Sequence, residues 1–238
     1  DCLRLEFQTV QEPQRDAKRF VKVLSVERTG RVDNTYCATE PKRNRLCFNG
    51  IVTGNCSEIT LPTNQERTAV CCLSSLNLEL WDTWKDNQIL IEDIMRFLDN
   101  VLEDFINKAP DSMIKAKYSA MRERSVGLGA MGFHSYLQSK GIPIDCALAK
   151  SINLKMFSHI KDQVDLANSG LAIERGSCPD SLHHFQGQRF SYTMAIAPNA
   201  SISIICGSTS PGIEPYPANM YQHKSLSGTF TIKNKHLD

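Results

Sequence analysis

Cys56-Ser57-Glu58-Ile59-Thr60-Leu61-Pro62-Thr63-Asn64 marks the point where the pattern of this chain changes. Upstream, Phe20 to Asn55 reads as short strands and turns: Val21-Lys22-Val23-Leu24-Ser25-Val26 alternates loosely, Arg28-Thr29-Gly30-Arg31 turns, and Cys47-Phe48-Asn49-Gly50-Ile51-Val52 suggests a hairpin-like return. That stretch is β-rich and too short to fold alone. Residues 1–19 are polar and charged and carry no assigned element. Downstream the chain alternates strands with helices, which predicts an α/β architecture. The boundary therefore separates a small segment, 1–55, from a larger one, 56–238.

Ile89, Ile91, Ile94, Phe97, Leu98, Val101, Leu102 and Phe105 recur at helical spacing, with Asp86 or Asp82 as the N-cap. A second helix is predicted from about Phe133 to Ser139, ending at Gly141 and Pro143, and a third from about Leu148 to Glu174, closed by Arg175-Gly176. Tyr192-Thr193-Met194-Ala195-Ile196-Ala197 reads as a buried strand feeding a polar loop at Pro198.

The chain has 238 residues, 41% hydrophobic and 22% charged, enough for one large domain or one domain plus a small one. A net charge of +1 gives no global electrostatic case for nucleic acid or an anionic membrane. No run approaches the roughly 20 apolar residues of a membrane helix, and no signal-peptide pattern opens the sequence. The nine cysteines are scattered without a CxxC pair, which disfavours zinc ribbons and secreted disulfide frameworks and points to redox chemistry in a reducing, cytoplasmic setting. Beginning at Asp1 and stopping at Lys235-His236-Leu237-Asp238, the sequence reads as a fragment at both ends.

The Asn55–Cys56 junction carries one chemistry. Asparagine can cyclise through its side-chain amide and cleave the bond that follows it, and an adjacent cysteine supplies a thiol to accept the upstream segment before an S-to-N acyl shift. Asn-Gly and Thr-Gly-Asn are also ordinary turn sequences. Asn49-Gly50-Ile51-Val52-Thr53-Gly54-Asn55 followed by Cys56 resembles the C-terminal end of an intein, a β-rich segment of the Hint type. The resemblance implies that Gly54, Asn55 and Cys56 serve splicing, in partnership with an upstream fragment. Gly54 stands where many inteins place histidine, and Asn44 stands at a second position where histidine is common.

Four separated stretches carry another resemblance: Cys56-Ser57-Glu58-Ile59; Ala69-Val70-Cys71-Cys72-Leu73-Ser74-Ser75-Leu76-Asn77-Leu78; Arg124-Ser125-Val126-Gly127-Leu128-Gly129; and Ala197-Pro198-Asn199-Ala200-Ser201 leading to Gly212-Ile213-Glu214-Pro215. In order and spacing they resemble the large subunit of class I ribonucleotide reductases. The resemblance implies part of a ten-stranded α/β barrel that reduces ribonucleoside diphosphates. Cys56 would carry a thiyl radical, because an S–H bond is close in strength to the activated ribose C–H bond. Glu58, on the same side of an extended strand, would take the 3′-hydroxyl proton. Cys71 would be one half of the reducing dithiol, the other half lying outside this chain; read without the resemblance, Cys71 and Cys72 are two small buried hydrophobes. The family's active-site Asn would come from the upstream extein, since Gly54 holds the position two residues before Cys56.

Pro198-Asn199-Ala200-Ser201-Ile202 is the candidate substrate diphosphate loop, offering backbone N–H groups and the Ser201 hydroxyl; a simple helix N-cap is its alternative reading. The resemblance further implies a radical-generating, metal-containing small subunit and a thioredoxin or glutaredoxin as electron donor, with no cofactor or metal bound by this segment. An adenosylcobalamin-dependent reductase, or a half-intein whose main activity is self-splicing, are the alternatives. Three features are set aside. Gly127-Leu128-Gly129-Ala130-Met131-Gly132 satisfies GxGxxG but follows Arg122-Glu123-Arg124 rather than an apolar strand; His183-His184 lacks ligand partners; and Lys42-Arg43 with Arg45 is too short a basic run for nucleic acid.

Overall fold

The computed structural model describes residues 3–9, 21–28, 45–48, 51–54, 59, 61–181, 187–225 and 228–237, and the chain divides into two compact units, 1–57 and 58–238. The first unit holds two antiparallel hairpins. β1 (Leu3–Thr9) pairs with β2 (Val21–Arg28), with a register shift between Glu6 and Phe7, and β3 (Arg45–Phe48) pairs with β4 (Ile51–Gly54). Phe48 lies opposite Ile51, which is the return expected around Asn49-Gly50. β1 falls in the stretch that the sequence left unassigned. Lys42 and Arg43 lie outside the described residues, as do His183 and His184.

In the second unit, β5 (Cys72–Asn77) is followed by a 3₁₀ turn (Leu78–Leu80) and by α1 (Trp81–Trp84), α2 (Leu90–Lys108) and α3 (Ile114–Glu123). β6 (Val126–Met131) then pairs parallel to β5, Cys72 opposite Val126 and Asn77 opposite Met131. Parallel neighbours need such a helical crossover. After β6 come α4 (Phe133–Ser139) and α5 (Ala147–Arg175), where the sequence predicted them. Gly141 (φ +66) and Gly176 (φ +85) lie just past their ends, where the chain turns out of the helix.

The segment expected to be a buried strand, Tyr192–Ala197, returns parallel to β6 but is reduced to one bridge, Leu128 opposite Met194. Val126 N–H donates to Tyr192 O (3.0 Å), Leu128 N–H to Thr193 O (2.8 Å), and Ala195 N–H to Leu128 O (3.2 Å). β6 advances two residues between the first two bonds while the segment advances one, so no continuous ladder forms. Tyr192 is also 46% exposed, against the expectation of burial. The chain closes with α6 (Ile202–Ile205) and an antiparallel hairpin, β7 (Met220–Ser225) and β8 (Gly228–Lys233).

The core lies between the β5–β6 pair and helices α2 and α5. Leu76, Val126, Leu128 and Ala130 meet Met95, Leu98 and Leu102 of α2 and Met156, Ile160 and Val164 of α5. Each of these Leu, Val, Ile and Met side chains, fully buried, contributes about 1.5–3 kcal/mol. Of the predicted apolar stripe on α2, Ile91, Leu98 and Leu102 are buried, whereas Ile89, Phe97 and Val101 are exposed. Neither Asp82 nor Asp86 caps that helix; Asp82 lies within α1, and Asn87 Oδ1 accepts from Ile89 N–H (3.2 Å) instead.

One acidic residue sits on the buried face of α2. Asp99 is fully buried and takes hydrogen bonds from Arg124 (Nη2–Oδ1 2.7 Å), Arg175 (Nη1–Oδ2 2.8 Å) and Arg189 (Nε–Oδ1 3.0 Å). Burial pushes its carboxyl up, but the three guanidiniums outweigh burial and hold it below the usual carboxylate range. The network ties the ends of α3 and α5, and the strand-like approach at Arg189, to the middle of α2. A second cluster joins Arg67 to Glu123 (3.0 Å) and Asp180 (2.9 Å).

Candidate active site

Strand alternation gives the β5–β6 pair two unlike faces. Leu76, Val126, Leu128 and Ala130 point to the helices, and Val70 and Cys72 pack against the same core. Leu73, Ser75 and Asn77 point the other way; Leu73 is 37% exposed where Leu76 is 4% exposed. Carried one residue back, the alternation puts Cys71 on the face of Leu73 and Ser75, and Cys71 is exposed. Adjacent cysteines thus part company. Burial pushes the Cys72 thiol up, away from the thiolate form that redox exchange needs.

Gly127 and Gly129 of β6 also lie on the open face, and the GxGxxG pattern is accounted for by packing. It sits inside a wholly buried strand, not after one. A Cβ on Gly129 would collide with the Ala195 carbonyl oxygen, and one on Gly127 with Leu73 Cδ2 and Ala195 Cβ. The glycines let the Tyr192–Ala197 segment cross close over the sheet. Gly132 (φ +81) makes the turn into α4, where a Cβ would stand 2.5 Å from Thr209 Oγ1 and 2.6 Å from Asn77 Oδ1; its N–H donates to Ser210 O (2.8 Å).

The crossing segment delivers Pro198-Asn199-Ala200-Ser201-Ile202 to the same face. Asn199 adopts φ +53, and its side chain is the anchor: Nδ2 donates to Ala130 O (3.2 Å) and Ala197 O (3.1 Å), while Oδ1 accepts from Ser75 Oγ (3.1 Å). Ser75 lies two strand positions before Asn77 and four after Cys71. Pro198, Ala200, Ser201 and Ile202 are exposed. Ser201 stands at the N-cap position of α6 without a side-chain cap hydrogen bond; its Oγ lies 3.4 Å from His223 Nε2.

The loop's far end is tied as well. Asn77 Nδ2 donates to Cys206 O (3.5 Å), and Lys235 Nζ bridges Gly207 O (2.7 Å) and Glu79 Oε2 (2.7 Å). Glu79 also meets His236 Nε2 (3.0 Å). Burial raises the Glu79 carboxyl, but the hydrogen bonds from Lys235 and His236 bring it below its ordinary value. Downstream, Ser135 and Ser210 exchange hydrogen bonds (Ser135 N–H to Ser210 Oγ 3.1 Å; Ser210 N–H to Ser135 Oγ 2.8 Å), and Ser135 Oγ meets Tyr216 OH (2.9 Å).

The structure therefore brings Cys71 and the Pro198–Ile202 loop to one face. Asn55, Cys56 and Glu58 lie outside the described residues, and Gly54 closes β4 opposite Arg45. Among the described residues, no group of three or more His, Cys, Asp or Glu side chains is arranged to hold a metal ion, and no helix is long and apolar enough to cross a membrane. Sequence reasoning missed Ser75, although the two-residue step from Cys71 pointed to it. It also missed Glu79 and Lys235, for which no local pattern exists.

Comparison with known proteins defines the class. The family "Ribonucleotide reductase, barrel domain" matches residues 42–183 and 181–238, and the chain belongs to that family. Its relatives include the ribonucleoside-diphosphate reductase large subunits of Invertebrate iridescent virus 6, 52% identical over 226 residues (95% of this chain, 23% of the relative), and of Invertebrate iridescent virus 3, 49% identical over 182 residues (76% and 29%). Among solved structures, the Actinobacillus ureae class Id ribonucleotide reductase alpha subunit matches with a TM-score of 0.65 and 38% identity, covering 69% of this chain and 32% of that one. The chain thus spans under a third of the length of these relatives.

Proposed function

We propose that residues 56–238 form the later part of the catalytic barrel of a class I ribonucleoside-diphosphate reductase large subunit, and that residues 1–55 are the C-terminal segment of an intein. The observation that carries the first reading is the sharing of one open face by Cys71 and the Asn199-anchored loop, while Cys72 turns to the core. On this reading the loop takes the substrate diphosphate through backbone N–H groups and Ser201. Cys56, as a thiyl, removes the ribose 3′-hydrogen, and Glu58 takes the 3′-hydroxyl proton. The 2′-hydroxyl then leaves as water with a proton from the dithiol, Cys71 and a partner thiol from the rest of the subunit supply two electrons and become a disulfide, and Cys56 returns the hydrogen to C3′, which restores the thiyl. A metal-containing small subunit supplies the radical, and a thioredoxin-like or glutaredoxin-like dithiol re-reduces the pair.

The test is Cys56→Ser in the assembled large subunit with its small subunit. No deoxyribonucleoside diphosphate is expected; retained turnover would reject the radical role. Dependence on added adenosylcobalamin instead of a small subunit would favour the cobalamin-dependent class.

The intein reading is carried by Asn49-Gly50-Ile51-Val52-Thr53-Gly54-Asn55 followed by Cys56. The 226 matched residues of the Invertebrate iridescent virus 6 large subunit cannot fit within 56–238 and reach into the upstream segment. The family match beginning at residue 42 favours a second reading, in which 42–55 are barrel sequence. Mixing the chain with an upstream large-subunit fragment and weighing the products separates the two. Ligation at Cys56 with loss of the segment ending at Asn55 supports splicing, and a product retaining residues 42–55 rejects it.

A further inference from the structure

We propose that Lys235 is a positioning residue for the diphosphate loop, acting through Glu79 and the Gly207 carbonyl. The inference rests on the reading of Pro198–Ile202 given above. The loop and α6 have little apolar packing to fix them: Ile202 is 52% exposed and Ile205 82%. Two non-glycine residues in left-handed backbone, Asn199 (φ +53) and Ser208 (φ +53), bracket the stretch. Such conformations are strained for a residue with a side chain and persist only where the surroundings over-determine them.

Polar ties supply that constraint at both ends. At the first, Asn199 is held by Ser75 and by the carbonyls of Ala130 and Ala197. At the second, Lys235 Nζ sits 2.7 Å from Gly207 O, next to Ser208, and 2.7 Å from Glu79 Oε2. Glu79 belongs to the turn leaving β5 and is only 12% exposed, so it is a firm post; Lys235 follows β8 and reaches it from the C-terminal hairpin. A charge-assisted contact of this kind is stronger than a neutral hydrogen bond. The hairpin thereby works as a strap across the loop's exit, keeping the N–H groups of 199–202 in the spacing an oxyanion pair requires.

The experiment uses the full-length large subunit with its small subunit and cytidine diphosphate as probe. Lys235→Met is expected to raise KM for the diphosphate about tenfold with kcat within about twofold, and Lys235→Arg to restore KM to within about threefold. Glu79→Gln, which keeps the shape of the post, is expected to raise KM about threefold. Unchanged KM in folded Lys235→Met overturns the proposal, as does a fall in kcat alone. Should Lys235→Met fail to fold, Glu79→Gln decides: raised KM supports the strap and unchanged KM overturns it. If the unmodified subunit binds no cytidine diphosphate, the loop reading falls and the strap with it; if it binds and the variants match it, the strap alone falls.

Discussion

The two faces of the β5–β6 pair are built from opposite materials. Toward the helices stand Leu76, Val126, Leu128 and Ala130, interlocked with α2 and α5; toward the open side stand Cys71, Ser75, Asn77, Gly127 and Gly129. The first face holds the fold together by burial, while the second gives up side-chain volume so that a crossing segment and its loop can come close. On the proposed function, stability and chemistry are divided between alternate residues of the same strands. The neighbours Cys71 and Cys72 differ in burial, one exposed and one packed on the core, and the proposal gives them unrelated roles.

The largest expected effect belongs to the helix side. Asp99→Ala leaves Arg124, Arg175 and Arg189 around an empty centre and should cost about 3–5 kcal/mol in urea unfolding. The sign of its pH dependence follows from the lowered carboxyl. Its contribution is fully present above about pH 4, the unfolded value, and is lost as pH falls through the lower folded value. An acid-unfolding curve for Asp99→Asn should therefore lack part of the wild-type slope; identical slopes would show that the carboxylate charge does not stabilise the fold.

On the open side, Gly129→Ala places a methyl group against the Ala195 carbonyl and forces the crossing segment away. About 3 kcal/mol of destabilisation is expected, together with a raised KM for substrate. An unaffected thermal midpoint would mean that the close approach is not what holds the segment. The smallest effect is Ser75→Ala, which removes one hydrogen bond to Asn199 and should cost about 1 kcal/mol, with a KM change of a few fold and kcat retained.

Much of the architecture was legible because strong local signals mark it. Gly141 and Gly176 lie at the ends of α4 and α5 where predicted, Phe48 opposite Ile51 fits the hairpin-like return read from Cys47–Val52, and strand–helix alternation announced the α/β class, though not the limits of β5 and β6. The Tyr192–Ala197 segment was legible as an extended approach to the Pro198 loop but not in its irregular form, because its register against β6 slips at Thr193. Asp99 was a lone acid among the apolar positions of α2, a readable anomaly, yet its arginines come from three separate places in the chain. The tie between Glu79 and Lys235 spans most of the second unit in sequence, and no periodicity encodes it. Of the candidate site, Cys71 and the Pro198–Ile202 loop were readable from motifs, whereas the residues that hold the loop were not.

The division of labour between the faces is tested most directly by exchanging the two adjacent thiols separately. In the full-length large subunit assembled with its small subunit and a dithiol donor, Cys71→Ser should abolish multiple turnover while keeping the unfolding midpoint. Cys72→Ser should keep turnover and lower stability by about 1 kcal/mol. Equal turnover in the two variants, or loss confined to Cys72→Ser, would contradict the assignment of the open face as the catalytic one.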